Sequence, residues 1–364
     1  MNEEHLQVTT SGKASVLLDM QFGSTGKGLF AAYLAGLPRN HCDISVTNAG
    51  PNAGHTTCFA DGRKFVTFHL PTFGVIQEKS IIFLDAGSII DPDMLQKELS
   101  DFSIDPMRIF VHPRAAVIEP DDRAYEHRPD AATSKLSGTQ KGVGRAIARK
   151  VMREAKLADE HPFLKQFVRP FSLNDELHRG KSAFIEVPQG FGLSLNDGLS
   201  YPYCTSRNIS VSQALADAGL HPSKLYKVIG VQRSKPIRVG NLKDECGKEI
   251  GYSGPCYPDQ KELSWEELGQ APEYTTVTKR VRRVFTWSEM QYEHALKSIR
   301  PDIIFNNFVN YNKTAEEVMM WDSAMYSIEK QVLGHSIPKM WGVGPNVENV
   351  VGLSEVMDHM GWAK

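Results

Sequence analysis

The run Gly23-Ser24-Thr25-Gly26-Lys27-Gly28 stands between an apolar stretch, Ala14 to Asp19 (ASVLLD), and a helix-like stretch, GLFAAYLAGL. Glycines at such a place let backbone N–H groups approach phosphate oxygens, the helix N-terminus adds partial positive charge, and Lys27 supplies a full one. The loop is P-loop-like but is not a Walker A motif, which needs Gly at the place of Gln21 and Ser or Thr at the place of Gly28. Read without chemistry, it is a tight turn between strand and helix. A second loop of small residues, Asn48 to Thr56 (NAGPNAGHT), ends on His55. A histidine between Gly54 and Thr56, with no apolar bulk beside it, is poorly suited to a core. It is expected as an exposed acid or donor serving an oxygen on which charge develops.

These loops need a scaffold that brings them together. Short apolar runs bounded by polar or turn residues recur at Ser80 to Leu84, Arg108 to His112, Ala183 to Val187 and Lys227 to Val231, as buried strands do. Helical stretches such as Asp91 to Leu99 and Val211 to Ala218 lie between them. This alternation predicts an α/β fold with a mainly parallel central sheet. No Pro/Gly/Ser linker divides the chain, so residues 14–364 are expected as a single elaborated catalytic domain behind a polar tail of residues 1–13. Asn241 to Gln270 is loop-rich and is read as an insertion over the sheet.

Composition narrows the partners. The chain has 364 residues, 41 Lys+Arg against 43 Asp+Glu and a formal net charge of -2, which gives no field arguing for nucleic acid or an anionic membrane. The expected partners are small molecules. No run of apolar residues is long enough to span a bilayer, and MNEEHLQVTT lacks the regions of a signal peptide, so a soluble, unprocessed, cytoplasmic protein is expected. Five cysteines without metal-ligand spacing read as free thiols, and any metal is expected to be Mg²⁺ arriving with phosphates.

The segments DMQFGSTGKG, NAGPNAGHT, HLPT, SGTQKGVG, EVPQG, YPYCTS and RVG resemble, in the same order, the GxQWGDEGKG, GGxNAGHT, HLxPSG, GTTGRGIG, EGAQG, YPYVTS and RVG motifs of the adenylosuccinate synthetases. The resemblance runs from about Leu18 to GVGPNVENVVGL near the C-terminus. It implies that family's fold and its chemistry: the 6-oxygen of a purine monophosphate is phosphorylated by a nucleoside triphosphate, and the amino group of L-aspartate then displaces the phosphate. It implies catalytic roles for Ser24, Lys27, His55 and Gln189, with His55 stabilising charge at the 6-oxygen and Gln189 holding the 6-position. The triphosphate would lie on Ser24, Thr25, Gly26, Lys27, Gly28, Thr56, Asn307, Gly344 and Pro345. The monophosphate substrate would meet Ser24, Asn52, Thr139, Gln189, Thr205 and Gly240, together with Arg153 from a neighbouring chain of a homodimer. Mg²⁺ would take the Gly54 carbonyl oxygen, Ser24 and phosphate oxygens. The run Thr278 to Arg283, otherwise a solvated charge run, matches the family's aspartate loop and assigns Thr278, Arg280 and Arg282 to the carboxylates of aspartate.

Two departures redirect the resemblance. Where the family motif has an Asp that accepts the purine N1 proton, this chain has Ser24, whose hydroxyl is a poor general base at neutral pH. A shorter donor/acceptor side chain suits a purine carrying a 2-amino group. That points to dGMP and to the viral branch of the family, the 2-aminoadenylosuccinate synthetases, and would place the protein in a host cytoplasm. The second departure aligns Asn306-Asn307-Phe308-Val309 with the family's Thr-Lys-Leu-Asp, whose carboxylate reads the guanine of GTP. Valine accepts no hydrogen bond, so ATP or dATP is expected as donor, with Asn310 one place on as partial compensation. The alternatives are an ordinary adenylosuccinate synthetase using IMP and GTP, and an inactive nucleotide-binding homologue. Retention of His55, Arg280 and Arg282 speaks against the second.

Overall fold

The structure is a computed structural model and describes residues 3–276 and 278–362. The strands used below, in chain order, are β1 (Ala14–Asp19), β2 (Ile44–Thr47), β3 (His55–Cys58), β4 (Lys64–Thr67), β5 (Ile81–Leu84), β6 (Ile109–Val111), β7 (Ala183–Gly190), β8 (Leu225–Arg233), β9 (Ile303–Asn307), β10 (Lys339–Gly342) and β11 (Val350–Val351). The helices that matter below are α1 (Lys27–Gly36), α2 (Val143–Met152) and α3 (Val211–Asp217). All of these strands except β3 and β4 form one nine-stranded sheet in the order β11-β10-β9-β8-β1-β7-β2-β5-β6. Every pairing is parallel except that of β10 with β11. The expected α/β architecture is therefore present.

Strand β1 is central and buried along its whole length because both its faces are covered. Val16 and Leu18 enter the core on one face, while Leu17 packs with Phe30 and Leu34 of α1 on the other. Residues expected as a polar tail depart from that reading: Leu6 and Val8 are buried in the α1-side core. The buried Asn40 amide receives Val8 N–H and donates to the Leu6 carbonyl, so this backbone is satisfied locally. Residues 241–270 stay outside the main sheet, contributing a Leu242–Lys243/Glu249–Gly251 hairpin, a short strand Glu262–Leu263 and one helical turn Trp265–Leu268. All five cysteines are free.

Parallel strands that share direction also share a C-terminal edge, and ligands of such sheets bind there, where strand order reverses. Asp19, Thr47, Gln189, Arg233 and Asn307 all lie at or beside that edge. A buried charge cluster braces it from behind. Arg207 donates to the Asn48 carbonyl oxygen (2.6 Å), the Asn48 amide donates to Asp217 (2.9 Å), and Lys150 donates to the Ala86 carbonyl oxygen. Asp85, fully buried there, has its pKa raised well above the carboxylate range by burial and by Asp217, against the opposing charges of Arg207 and Lys150. A carboxyl whose folded pKa is raised is least costly when protonated, so stability is lost as pH rises from the ordinary carboxylate range through the folded value. Asp85→Asn keeps an oxygen for Gly87 N–H and cannot ionise. Its melting temperature relative to the native chain should therefore rise between pH 4 and pH 8; a difference that is flat or falls contradicts the assignment.

Candidate active site

The loop after β1 is shaped by one carboxylate. Asp19 Oδ1 accepts Gln21 N–H (2.7 Å) and Gly23 N–H (3.2 Å), and Oδ2 accepts the Thr25 hydroxyl (2.5 Å). Lys27 reaches Asp19 Oδ2 at 3.4 Å and the Gln189 carbonyl oxygen at 2.7 Å. Burial lowers the Lys27 pKa, opposed by the Asp19 charge. The tight path places Gly23, Ser24 and Gly26 at φ of 92°, 57° and 94°. Gly26 admits no side chain, since a Cβ there would lie 2.0 Å from Asn307 Nδ2. Asn307 is buried, donates to the Thr25 carbonyl oxygen (3.0 Å) and accepts Phe308 N–H (2.8 Å). Its amide is thus a brace for the loop.

His55 departs from the exposed loop position expected for it. It opens strand β3, which pairs with β4 in a hairpin, and its side chain is only 14% exposed. The hairpin crosses the start of α1, where a Cβ on Gly28 would lie 3.0 Å from His55 Cβ. The absence of apolar neighbours in sequence concealed this packing, which is supplied by α1. Beneath the ring, His55 Nδ1 lies 3.8 Å from Glu186 Oε2.

Ser24 is exposed to the cavity, and its hydroxyl accepts from Arg282 Nη1 at 2.7 Å. Arg233, fully buried, donates to the Ser24 carbonyl oxygen (3.1 Å) and to both oxygens of Glu273, with Phe308 stacked 3.7 Å from its guanidinium carbon. Tyr311 also donates to Glu273 (2.9 Å). Burial opposes the Glu273 charge, but Arg233 and then Arg282 hold its pKa below the usual value. Burial likewise pushes Arg282 down to about 10, with Glu273 opposing, so the guanidinium is charged at neutral pH.

The loops enclose a cavity of about 660 Å³, within the usual range for small-molecule sites. Its wall contains Ser24, Thr25, Gly26, Lys27, Gly28, Asn52, Gly54, His55, Thr56, Thr139, Gln189, Thr205, Thr278, Arg282, Asn307, Gly344 and Pro345. Arg153, Gly240 and Arg280 are not in that wall. Gly240 packs against the Val281 carbonyl, where a Cβ would fall 2.0 Å from the oxygen. Arg280 donates to the carbonyls of Ser137 (2.8 Å) and Gly138 (3.0 Å) and to the Thr278 hydroxyl (3.1 Å), tying two loops together. Arg153 caps α2 in the left-handed region and is exposed. Val309 is fully buried in the core and does not reach the cavity, whereas Phe308 and Asn310 do. The argument from a missing acceptor at Val309 therefore lapses, since the wall residue, Asn310, carries an amide acceptor.

Asp19, Glu186, Arg233 and Glu273 were not singled out from the sequence. The only signal for the first two was a carboxylate inside an apolar strand run, at ASVLLD and AFIEV.

A glycine-rich loop with its lysine, a histidine packed against it and arginines lining the cavity form a polar site at the C-terminal edge of a parallel sheet. The adenylosuccinate synthetase family model matches residues 16–167 and 161–339, and the chain belongs to that family. It is 37% identical to the N6-succino-2-amino-2'-deoxyadenylate synthase of Vibrio phage phiVC8, over 94% of this chain and 98% of that protein. The solved cyanophage S-2L succinoaminodeoxyadenylate synthetase, bound to dGMP and to dATP as an energy donor, superposes with a TM-score of 0.83 at 33% identity, covering 96% of this chain and 98% of that one. A fully ligated adenylosuccinate synthetase from Plasmodium falciparum shares the fold, with a TM-score of 0.70 at 21% identity over 93% and 99% of the two chains.

Proposed function

We propose that the protein joins L-aspartate to dGMP at the expense of ATP or dATP, giving 2-amino-2'-deoxyadenylosuccinate, the nucleoside diphosphate and phosphate. The observation that carries this reading is Ser24, a cavity-facing hydroxyl held by Arg282 where the resemblance calls for a carboxylate. The likeness to phage enzymes named for that product, one of them holding dGMP and dATP, supports it. In the first step the purine 6-oxygen attacks the γ-phosphoryl group and the diphosphate leaves. In the second the aspartate amine attacks C6, and phosphate departs with the former 6-oxygen. Lys27 and the N–H groups at the start of α1 hold the triphosphate. His55 meets charge at the 6-oxygen, and Arg282 offers its fork of donors to a carboxylate.

Mg²⁺ prefers oxygen ligands and keeps waters and phosphate oxygens around it. The Ser24 hydroxyl and Gly54 carbonyl, both at the cavity wall, fit as the protein's share of such a set. The ion would neutralise phosphate charge. Among the described residues, no helix is long and apolar enough to cross a membrane, and the reading places the enzyme in the cytoplasm of an infected host.

The test is a product assay offering dGMP, GMP and IMP in parallel with aspartate, Mg²⁺ and either ATP or GTP, using substrate labelled with heavy oxygen at the 6-position. Labelled phosphate and preferred use of dGMP are expected. Labelled product with unlabelled phosphate contradicts the phosphoryl intermediate, and a tenfold preference for IMP contradicts the guanine reading.

The dimer belongs to the same proposal. Arg153 lies beside Val151 and Met152, which are 70% and 64% exposed, a surface suited to cover by a second copy. Mixing Arg153→Ala chains with His55→Ala chains should form heterodimers with one intact site, recovering up to about a quarter of native activity at equal random mixing. No recovery despite proven subunit exchange refutes the shared site.

A further inference from the structure

Glu186 sits on β7 inside the sheet, 1% exposed. One carboxylate oxygen, Oε1, accepts Phe73 N–H at 2.7 Å. The other, Oε2, is buried with no hydrogen-bond partner and faces His55 Nδ1 at 3.8 Å. A carboxylate in the middle of a sheet is costly unless something uses its charge. Its two nearest uses are both catalytic candidates, because it also lies within electrostatic reach of Lys27.

We propose that Glu186 is a positioning residue for His55: its free oxygen takes the Nδ1–H of the ring and so turns Nε2 toward the cavity. This deepens the proposed function and rests on His55 being the group that meets the 6-oxygen. The present separation is beyond a hydrogen bond, and such contacts commonly tighten only when substrate closes the site. A carboxylate behind Nδ1–H fixes the orientation of the ring and supports its doubly protonated form, whose Nε2–H is the donor that charge on the 6-oxygen requires. The anchoring is rigid, since Oε1 is pinned by a backbone N–H and the strand is held by neighbours on both sides.

Glu186→Gln is a discriminating substitution. Glutamine keeps an oxygen for Phe73 N–H, so its NH₂ replaces Oε2 and presents a donor to Nδ1. That opposes the doubly protonated ring and leaves the neutral tautomer with hydrogen on Nε2, a weaker donor to the 6-oxygen. In the intact native enzyme, nitrogen NMR of His55 at a pH where the ring is neutral should show Nδ1 protonated, and in Glu186→Gln it should show Nε2 protonated. The variant should lose roughly 10–100-fold in kcat, the cost of removing a partner that orients a working imidazole, with KM for dGMP and ATP changed less than twofold. A native ring protonated on Nε2, or a folded variant within threefold of native kcat, overturns the proposal. If the variant fails to fold, the native tautomer decides. If His55→Ala retains activity, the catalytic reading of His55 fails separately, while the tautomer measurement still reports whether Glu186 holds the ring.

Discussion

Replacing His55 with alanine should lower turnover by about 10²–10⁴, the range for a positioned acid or oxyanion donor. The side chain stands at the start of a hairpin strand that crosses α1, and it shares the cavity wall with Lys27, Asn52 and Thr139. In the proposed reaction it meets the oxygen that is phosphorylated in the first step and expelled in the second. Its loss therefore slows both, and no other histidine is in the cavity wall among the described residues to take over. Removal also leaves the Glu186 carboxylate without the ring above it, so folding must be checked by circular dichroism before turnover is compared. A loss under threefold in a folded variant would reduce His55 to scaffolding.

Arg282→Ala should raise KM for aspartate by roughly 30-fold or more, because truncating one partner of a buried charge pair costs about 2–5 kcal/mol, while KM for dGMP moves less than threefold. Arg282 is the arginine of its loop that reaches the cavity wall, with its side chain 13% exposed and charged at neutral pH. Arg282→Lys should recover little, since an ammonium lacks the planar fork that grips a carboxylate through two bonds. Arg280→Ala should act differently, loosening its loop from Ser137 and Gly138 and raising KM for aspartate and dGMP together. Steady-state kinetics with each substrate varied in turn separates the two arginines. Equal effects on aspartate and dGMP in Arg282→Ala would remove it from the aspartate site.

The parts of this site legible in the sequence were those built from local chemistry. Gly23 and Gly26 announce a turn whatever surrounds it, and β1 is a continuous apolar run because both its faces are covered. The parts that were not legible depend on partners far along the chain. Asp19 and Glu186 are carboxylates within strands. Only the fold shows that one collects the N–H groups of its own loop while the other waits beneath a histidine more than a hundred residues earlier. Val309 illustrates the converse. A motif alignment gives the order of residues but not the direction of each side chain, and the short 3-10 turn Val309–Tyr311 points the valine into the core and leaves Asn310 at the wall. Leu6 and Val8 were lost in a polar-looking segment because two apolar residues are too few to show a period.

Asn307 is wedged between two glycines, with Gly26 on the phosphate loop and Gly342 at the end of β10, where a Cβ would stand 2.0 Å and 2.2 Å from its amide. Gly344 and Pro345, assigned to the donor nucleotide, follow two residues after that second contact. In the proposed site the glycine-rich loop and the far end of the donor nucleotide's pocket thus share a single keystone and have little room to move independently. In such an arrangement, grip on one end of the donor nucleotide is converted into alignment at the other, so affinity gained far from the reacting phosphorus can be expressed as rate.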